Sequence, residues 1–147
     1  MNLIERLKEE HEWIEQELQE LETIMSQEII NYSNLAHVLK KLNYLLDHHI
    51  LKEQKLFALL EQREIKTSLL NLMEEKLVIK NSHENLMKAL LSRSDFKVRS
   101  ALEKSGRNFI SVLRKHIEDQ EWLFCSIPPP EVENALILRS IQTTAAV

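Results

Sequence analysis

Two stretches of this chain follow one pattern, 46-LDHHILKEQKLF-57 and 113-LRKHIEDQEWLF-124. Each carries a His-Ile pair, continues with acidic and amide residues, and ends on Leu-Phe. His49 and Glu53 are four residues apart, so on a helix their side chains share one face. Burying such polar groups costs free energy unless they find partners. The repeat therefore predicts two related helices that bring polar side chains to one buried place.

The composition of the chain indicates an almost wholly helical protein of one domain. Its 147 residues include one glycine, three adjacent prolines and a single cysteine, which cannot form an intramolecular disulfide. The net charge of −4 without a basic stripe argues against nucleic-acid binding. No apolar run approaches the roughly 20 residues of a membrane span. We expect a soluble, cytoplasmic protein that begins with neither a signal peptide nor a transit peptide.

Apolar residues recur in steps of three and four along four stretches, which is the spacing of bundle helices. We predict helices over residues 2–27, 34–62, 66–91 and 96–125. Short connections between them imply an all-α protein, an antiparallel up-down four-helix bundle. The connection at Asn31–Asn34 supplies turn residues and an N-cap for the second helix.

The chain after the fourth helix is expected to be separate from the bundle. Pro128–Pro130 ends that helix, because proline lacks a backbone N–H and clashes with the preceding turn. We therefore assign residues 1–126 to the bundle and 127–147 to a tail. The tail is interpreted either as a short helix that caps the bundle or as a segment that binds a protein partner. Inside the fourth helix, Gly106 is expected to weaken the helix by up to about 1 kcal/mol.

Histidines fall on the apolar stripe of every predicted helix. Four of the six histidines do so, and they are His11, His49, His83 and His116. A single histidine on such a stripe is usually a core residue with a hydrogen-bond partner. Four imidazoles without partners would leave polar atoms unsatisfied at about 1–3 kcal/mol each, and a shared metal ion removes that cost. Imidazoles combined with Glu53 suit iron, with manganese or zinc as competitors.

The levels of the histidines along the bundle test this idea. Those of the first three helices lie at matching distances from the turns between them. His83 and His116 do not match about the connection Ser92–Asp95. Either that connection lies later in the chain, or the third helix meets the site with an offset. In the second helix, an alternative register would pair His48, rather than His49, with Glu53.

In order along the chain, these motifs resemble the hemerythrin-like (HHE cation-binding) domain from about residue 3 to residue 125. The elements that carry the resemblance are His11, His49-x-x-x-Glu53, Leu56-Phe57, His83-Glu84, His116, Gln120-Glu121 and Leu123-Phe124. The resemblance implies a non-haem di-iron centre in the bundle, with two ions bridged by carboxylates and an oxo or hydroxo group. The ligands that it implies are His11, His49, Glu53, His83, His116 and Glu121.

The last carboxylate departs from the family pattern. Repeats in the family often read His-x-x-x-Glu-Glu in both halves, whereas the second half here ends on Gln120-Glu121. Glutamine is neutral and a poorer ligand than glutamate. Hemerythrin itself uses a carboxylate five residues after its last histidine, so Glu121 is the expected ligand and Gln120 the alternative. Without a second bridging carboxylate, the site would hold one metal ion tightly and a second weakly.

The third helix also departs from the oxygen carriers of the family. It lacks their second histidine and has Ile79 before His83 and Met87 after it. This difference favours the sensor and repair branch. The resemblance implies a protein that binds, senses or detoxifies oxygen, peroxide or nitric oxide, or supports iron homeostasis or iron-centre repair. Whether it is an enzyme stays open. The alternative is a metal-free or degenerate helical interaction module.

Overall fold

The computed structural model describes residues 3–59 and 63–126, with side chains over 3–56 and 74–125. The described residues form helices joined by short turns and include no strand. The elements in chain order are α1 (Leu3–Ser26), α2 (Tyr32–Leu59), α3 (Arg63–Leu91), α4 (Asp95–Ala101), the π segment (Leu102–Gly106) and α5 (Arg107–Ser126). The last three follow one another without a break and together form the fourth helix of the bundle. The predicted all-α four-helix bundle is confirmed.

The turns between helices are fixed by polar caps. Asn31 Oδ1 accepts a hydrogen bond from the backbone N–H of Asn34 at 3.1 Å, which caps the start of α2 as the sequence predicts. The Ser94 hydroxyl accepts from the backbone N–H of Lys97 at 3.4 Å and caps α4. Arg93 just before it has a φ of 57°, a left-handed conformation that ends α3. The connection between α3 and α4 therefore lies where the sequence places it, and α3 meets the site with an offset.

The fourth helix changes its hydrogen-bond pattern at the π segment. The backbone N–H of Arg107 donates to the carbonyl of Leu102, five residues earlier. Gly106 is buried and closes this segment, at the position where the sequence predicts a weak helix. A Cβ there would lie 3.5 Å from the Met25 sulfur of α1, which is an ordinary contact. The extra residue in this turn rotates all of α5 about its axis and sets which of its side chains face inward.

The core consists of two apolar clusters. The larger one fills the part of the bundle next to the α1–α2 and α3–α4 turns and includes Ile14, Leu42, Phe109 and Leu113. The smaller one lies toward the other end and contains Leu7, Leu56 and Phe124. Along α1, α2 and α5, the residues between these clusters are the predicted histidine and glutamate positions. Polar side chains therefore form a layer between two apolar ones, where electrostatic interactions are strengthened.

Three predictions lie outside the described residues and stay predictions. These are the end of the second helix at residue 62, the helix end at Pro128–Pro130, and the division of the chain at residue 126 into a bundle and a tail over 127–147. Within the described residues, no helix is both long enough and apolar enough to cross a membrane.

Candidate metal centre

Three histidine Nε2 atoms meet at the centre of the polar layer. His11 Nε2 and His49 Nε2 are 3.1 Å apart. Glu53 Oε1 lies 2.9 Å from His49 Nε2 and 3.1 Å from His116 Nε2. Gln120 Oε1 completes the group at 2.6 Å from His11 Nε2 and 3.0 Å from His49 Nε2. We call these five residues the inner cluster, and each is no more than 3 % exposed.

Each of these histidines also contacts a separate carboxylate through its other ring nitrogen. The Nδ1–carboxylate pairs are His11 with Glu121 at 3.1 Å, His49 with Glu10 at 3.2 Å, and His116 with Glu75 at 3.0 Å. We call Glu10, Glu75 and Glu121 the outer carboxylates. A carboxylate at Nδ1 holds the ring proton there and leaves the Nε2 lone pair directed inward. Metal-binding histidines are oriented in this way.

Helix geometry explains why Gln120 rather than Glu121 enters the inner cluster. Gln120 follows His116 by one helical turn, so both face the centre, and Gln120 is completely buried. Glu121 is one residue further round the helix, and its side chain is 47 % exposed. It reaches His11 from the rim of the site. The structure thus places the expected ligand Glu121 outside the inner cluster and its alternative inside.

The alternative register in α2 is not observed. His48 is exposed and its ring lies 4.4 Å from that of Tyr44, centroid to centroid. His49 and Glu53 face inward together, one turn apart. The pairing that the sequence favours is therefore the one that the structure contains.

Burial and hydrogen bonding act against each other on the ionisable groups of the inner cluster. Burial disfavours the charged form of His49, but hydrogen bonds to Glu10 and Glu53 outweigh it and raise the pKa of His49 to about 9. Burial would raise the pKa of Glu53, yet hydrogen bonds from His116 and His49 hold it well below its ordinary value. Burial and the neighbouring charge of His49 lower the pKa of His11. The centre therefore favours one added positive charge.

The donor set explains that preference. A neutral imidazole has one N–H, and the outer carboxylates accept it at Nδ1. The three Nε2 atoms, Glu53 Oε1 and Gln120 Oε1 then all present lone pairs to one another. The amide nitrogen of Gln120 is buried without a hydrogen-bond partner. Turning that amide over would give the histidines a donor but would bury Oε1 in its place without one. A cation among these atoms fits the chemistry of the cluster.

The distances within the cluster suit neighbouring metal ligands only in part. Two nitrogens bound at about 2.1 Å lie about 3.0 Å apart when their bonds are perpendicular. Most contacts of the inner cluster are close to this value, but the 2.6 Å contact between Gln120 and His11 is shorter. As it stands, the described part of the chain contains no group of three or more His, Cys, Asp or Glu side chains arranged to hold a metal ion. The donors touch one another directly.

Comparison with known proteins identifies the family. A family model described as the hemerythrin HHE cation binding domain matches residues 2–125. The chain belongs to this family. It is therefore a hemerythrin-like protein, and the resemblance seen in the sequence is confirmed. Neither the curated proteins nor the solved structures yield a match.

The hemerythrin-like bundle brings His83 to a different place. Its Nε2–H donates to the carbonyl of Leu39 at 2.8 Å, and its ring lies 6.0 Å from that of Phe109. Lys76, which does reach the inner cluster, is seven residues earlier on α3. At about 1.5 Å per residue, His83 is therefore about 10 Å further along the bundle. It is buried against the larger apolar cluster with its own hydrogen-bond partner.

Lysines that the sequence interpretation missed surround the site of this hemerythrin-like protein. Lys52 pairs with Glu10, and Lys115 Nζ lies 3.0 Å from Glu75 Oε1. Lys76 Nζ lies 2.9 Å from Glu53 Oε2. The only available signal was position, because Lys52 is next to Glu53 and Glu10 is next to His11. The places of Glu75 and Lys76 in the site depend on the level of α3 along the bundle.

Proposed function

We propose that this protein binds iron through the Nε2 atoms of His11, His49 and His116 and through Glu53, with Gln120 Oε1 as a further ligand. Manganese and zinc are the competing ions. The observation that carries the proposal is the arrangement of three imidazoles with Nε2 directed inward and Nδ1 held by a separate carboxylate. Satisfying a core histidine requires one partner, whereas orienting three of them toward one point suits a shared ion.

The residues around the inner cluster would define the behaviour of a bound ion. Small movements that separate the donors would place them around a common centre. The apolar clusters on either side, including Leu7, Ile14 and Phe124, exclude bulk water. The outer carboxylates would keep each imidazole in its ligating orientation. Bound iron would supply a redox-active centre able to take a small molecule.

We propose further that this small molecule is oxygen, peroxide or nitric oxide, and that the protein senses or detoxifies it. Iron storage or the repair of iron centres would use the same site. The third helix contains one histidine, His83, and the described part of α3 supplies no imidazole to the inner cluster. This supports sensing or detoxification over reversible oxygen carriage. Catalytic turnover would be shown by consumption of peroxide or nitric oxide by the iron-loaded protein.

A metal-free interaction module is the second candidate. It is favoured by the direct contacts among the donors and by the raised pKa of His49, since an imidazolium supplies the positive charge that the centre needs. In that case the histidines would be part of a buried hydrogen-bond network, and protein partners would bind elsewhere, for example through the tail. The two candidates differ in one measurable property, which is whether iron stays bound.

The experiment is metal analysis of protein loaded with Fe(II) without oxygen and separated from free metal, together with its visible spectrum. His49→Ala should lose most of the iron. His48→Ala is the matched control, because it removes the adjacent and exposed imidazole of the same helix. Iron retained in full by His49→Ala would contradict the proposed site. Absence of iron from the unaltered protein under every loading condition would favour the interaction module.

A further inference from the structure

The two carboxylate oxygens of Glu53 face different partners. Oε1 lies between His49 Nε2 and His116 Nε2, inside the inner cluster. Oε2 points the other way, toward α3, and lies 2.9 Å from Lys76 Nζ. A carboxylate that bridges two metal ions also directs one oxygen to each. Glu53 has this bridging arrangement, but the second partner is the ammonium group of the protein's own lysine.

We infer that the Lys76 ammonium takes the position of a second cation, so that the centre binds one metal ion rather than two. This inference rests on the proposed function. The lysine is part of the site rather than a surface group, since its side chain is only 13 % exposed and Glu53 is completely buried.

The contact between Lys76 and Glu53 supports the inference that the ammonium takes the place of a second metal ion. Lys76 Nζ and Glu53 Oε2 form an ion pair at 2.9 Å in a position that is largely shielded from solvent. The ammonium therefore places its positive charge directly beside Oε2, where a second metal ion would otherwise place one. A dication placed beside Oε2 would be repelled by the ammonium in surroundings of low dielectric constant.

The ligands available on the α3 side point to the same conclusion. At this level the described residues of α3 bring Glu75 and Lys76 to the site, and His83 is bound elsewhere. Glu75 already serves His116 Nδ1 and Lys115. Glu53 is the one carboxylate of the inner cluster, because the neutral Gln120 holds the matching place on α5. Two dications would thus share the single carboxylate of the inner cluster.

The test changes the charge at this one position. Lys76→Glu replaces the ammonium with an oxygen ligand, and Lys76→Gln removes the charge while keeping a neutral oxygen ligand. Lys80→Glu is the matched control, since it makes the same charge change on the same helix at an exposed position one turn away. Each protein is loaded with Fe(II) without oxygen, separated from free metal and analysed for iron per chain. Circular dichroism reports whether the helices have formed.

We expect one iron per chain for the unaltered protein and for Lys80→Glu, and a rise toward two for Lys76→Glu. Lys76→Gln decides the question if Lys76→Glu fails to fold, and it should also bind more than one iron. Two irons in the unaltered protein would overturn this inference and leave the proposed iron site intact. One iron in both folded Lys76 variants would overturn it as well. No iron in the unaltered protein would overturn both proposals.

Discussion

Replacing Glu10 with glutamine tests whether the outer carboxylates tune a metal site or merely satisfy buried histidines. Glu10 is 3 % exposed, and its Oε1 accepts the Nδ1–H of His49 at 3.2 Å. A glutamine oxygen can accept the same hydrogen bond, so the orientation of the imidazole is kept. The negative charge that makes His49 a better electron donor to a metal ion is lost. Lys52 loses its ion-pair partner but is exposed enough to turn toward water.

The expected effect follows from the behaviour of such carboxylates at known sites. Their loss typically weakens metal affinity by about 10–100-fold, which is about 1.4–2.8 kcal/mol. Glu10→Gln should fall at the lower end, near tenfold, because the hydrogen bond survives. Glu10→Leu should approach hundredfold, because it removes the acceptor too and frees the ring to adopt the other tautomer. The order of the metal affinities, with the unaltered protein above Glu10→Gln and Glu10→Gln above Glu10→Leu, tests the reasoning as well as either value does.

The assay is a competition titration in which the apoprotein and a metal-binding indicator share Fe(II) or the redox-inert Zn(II). Glu12→Gln serves as the control, since it removes an exposed carboxylate beside His11 that faces away from the site. Circular dichroism of each apoprotein confirms that the bundle has formed. Affinity unchanged in folded Glu10→Leu would refute the reasoning, as would an equal loss in Glu12→Gln.

Three further predictions use the same structure. Gln120→Glu should bind divalent metal at least about tenfold more tightly, because it adds a charged oxygen to the inner cluster. The apoprotein of this variant should melt at a lower temperature, because the added charge is buried. A metal titration measures the first effect and thermal unfolding the second. His83→Gln should keep the full metal content, because His83 bonds to a backbone carbonyl instead of the cluster; loss of metal in a folded variant would restore it as a ligand. A hydrogen bond from Arg114 lowers the pKa of Glu22, so the pair stabilises the fold above the ordinary glutamate pKa and ceases to do so as the pH falls through the lowered one. Glu22→Gln should therefore reduce the free energy of unfolding by less than about 1 kcal/mol at neutral pH and by nothing at low pH, as measured in denaturant titrations.

The fold and the centre of the site could be predicted because both depend on short-range helical periodicity. Steps of three and four residues decide which face of a helix is buried, and they placed His11, His49, Glu53 and His116 inward whatever the details of the turns. Counting residues to the turns also placed His11, His49 and His83 at one level. This is right for His11 and His49, which are in contact, and wrong for His83, which bonds to Leu39 instead.

What the sequence did not decide depends on long-range geometry. The choice between Gln120 and Glu121 is a rotation of about 100° about the axis of α5, and the π segment, which ends at Gly106 well before these residues, contributes to that rotation. For His83 the sequence left two explanations of its mismatch with His116 open. The α3–α4 turn lies where the sequence predicts it, so the offset of α3 is the one that the structure contains. Lys76 gave no periodic signal at all, since a long side chain reaches the core from a position near its edge.

X-ray absorption of the iron-loaded protein tests the central claim most directly, because it counts the imidazoles bound to the metal. We predict iron with about three histidine ligands and a mixed nitrogen and oxygen shell, and a loss of one imidazole contribution in His116→Gln. Iron surrounded only by oxygen ligands, or a spectrum identical in the unaltered protein and His116→Gln, would contradict it.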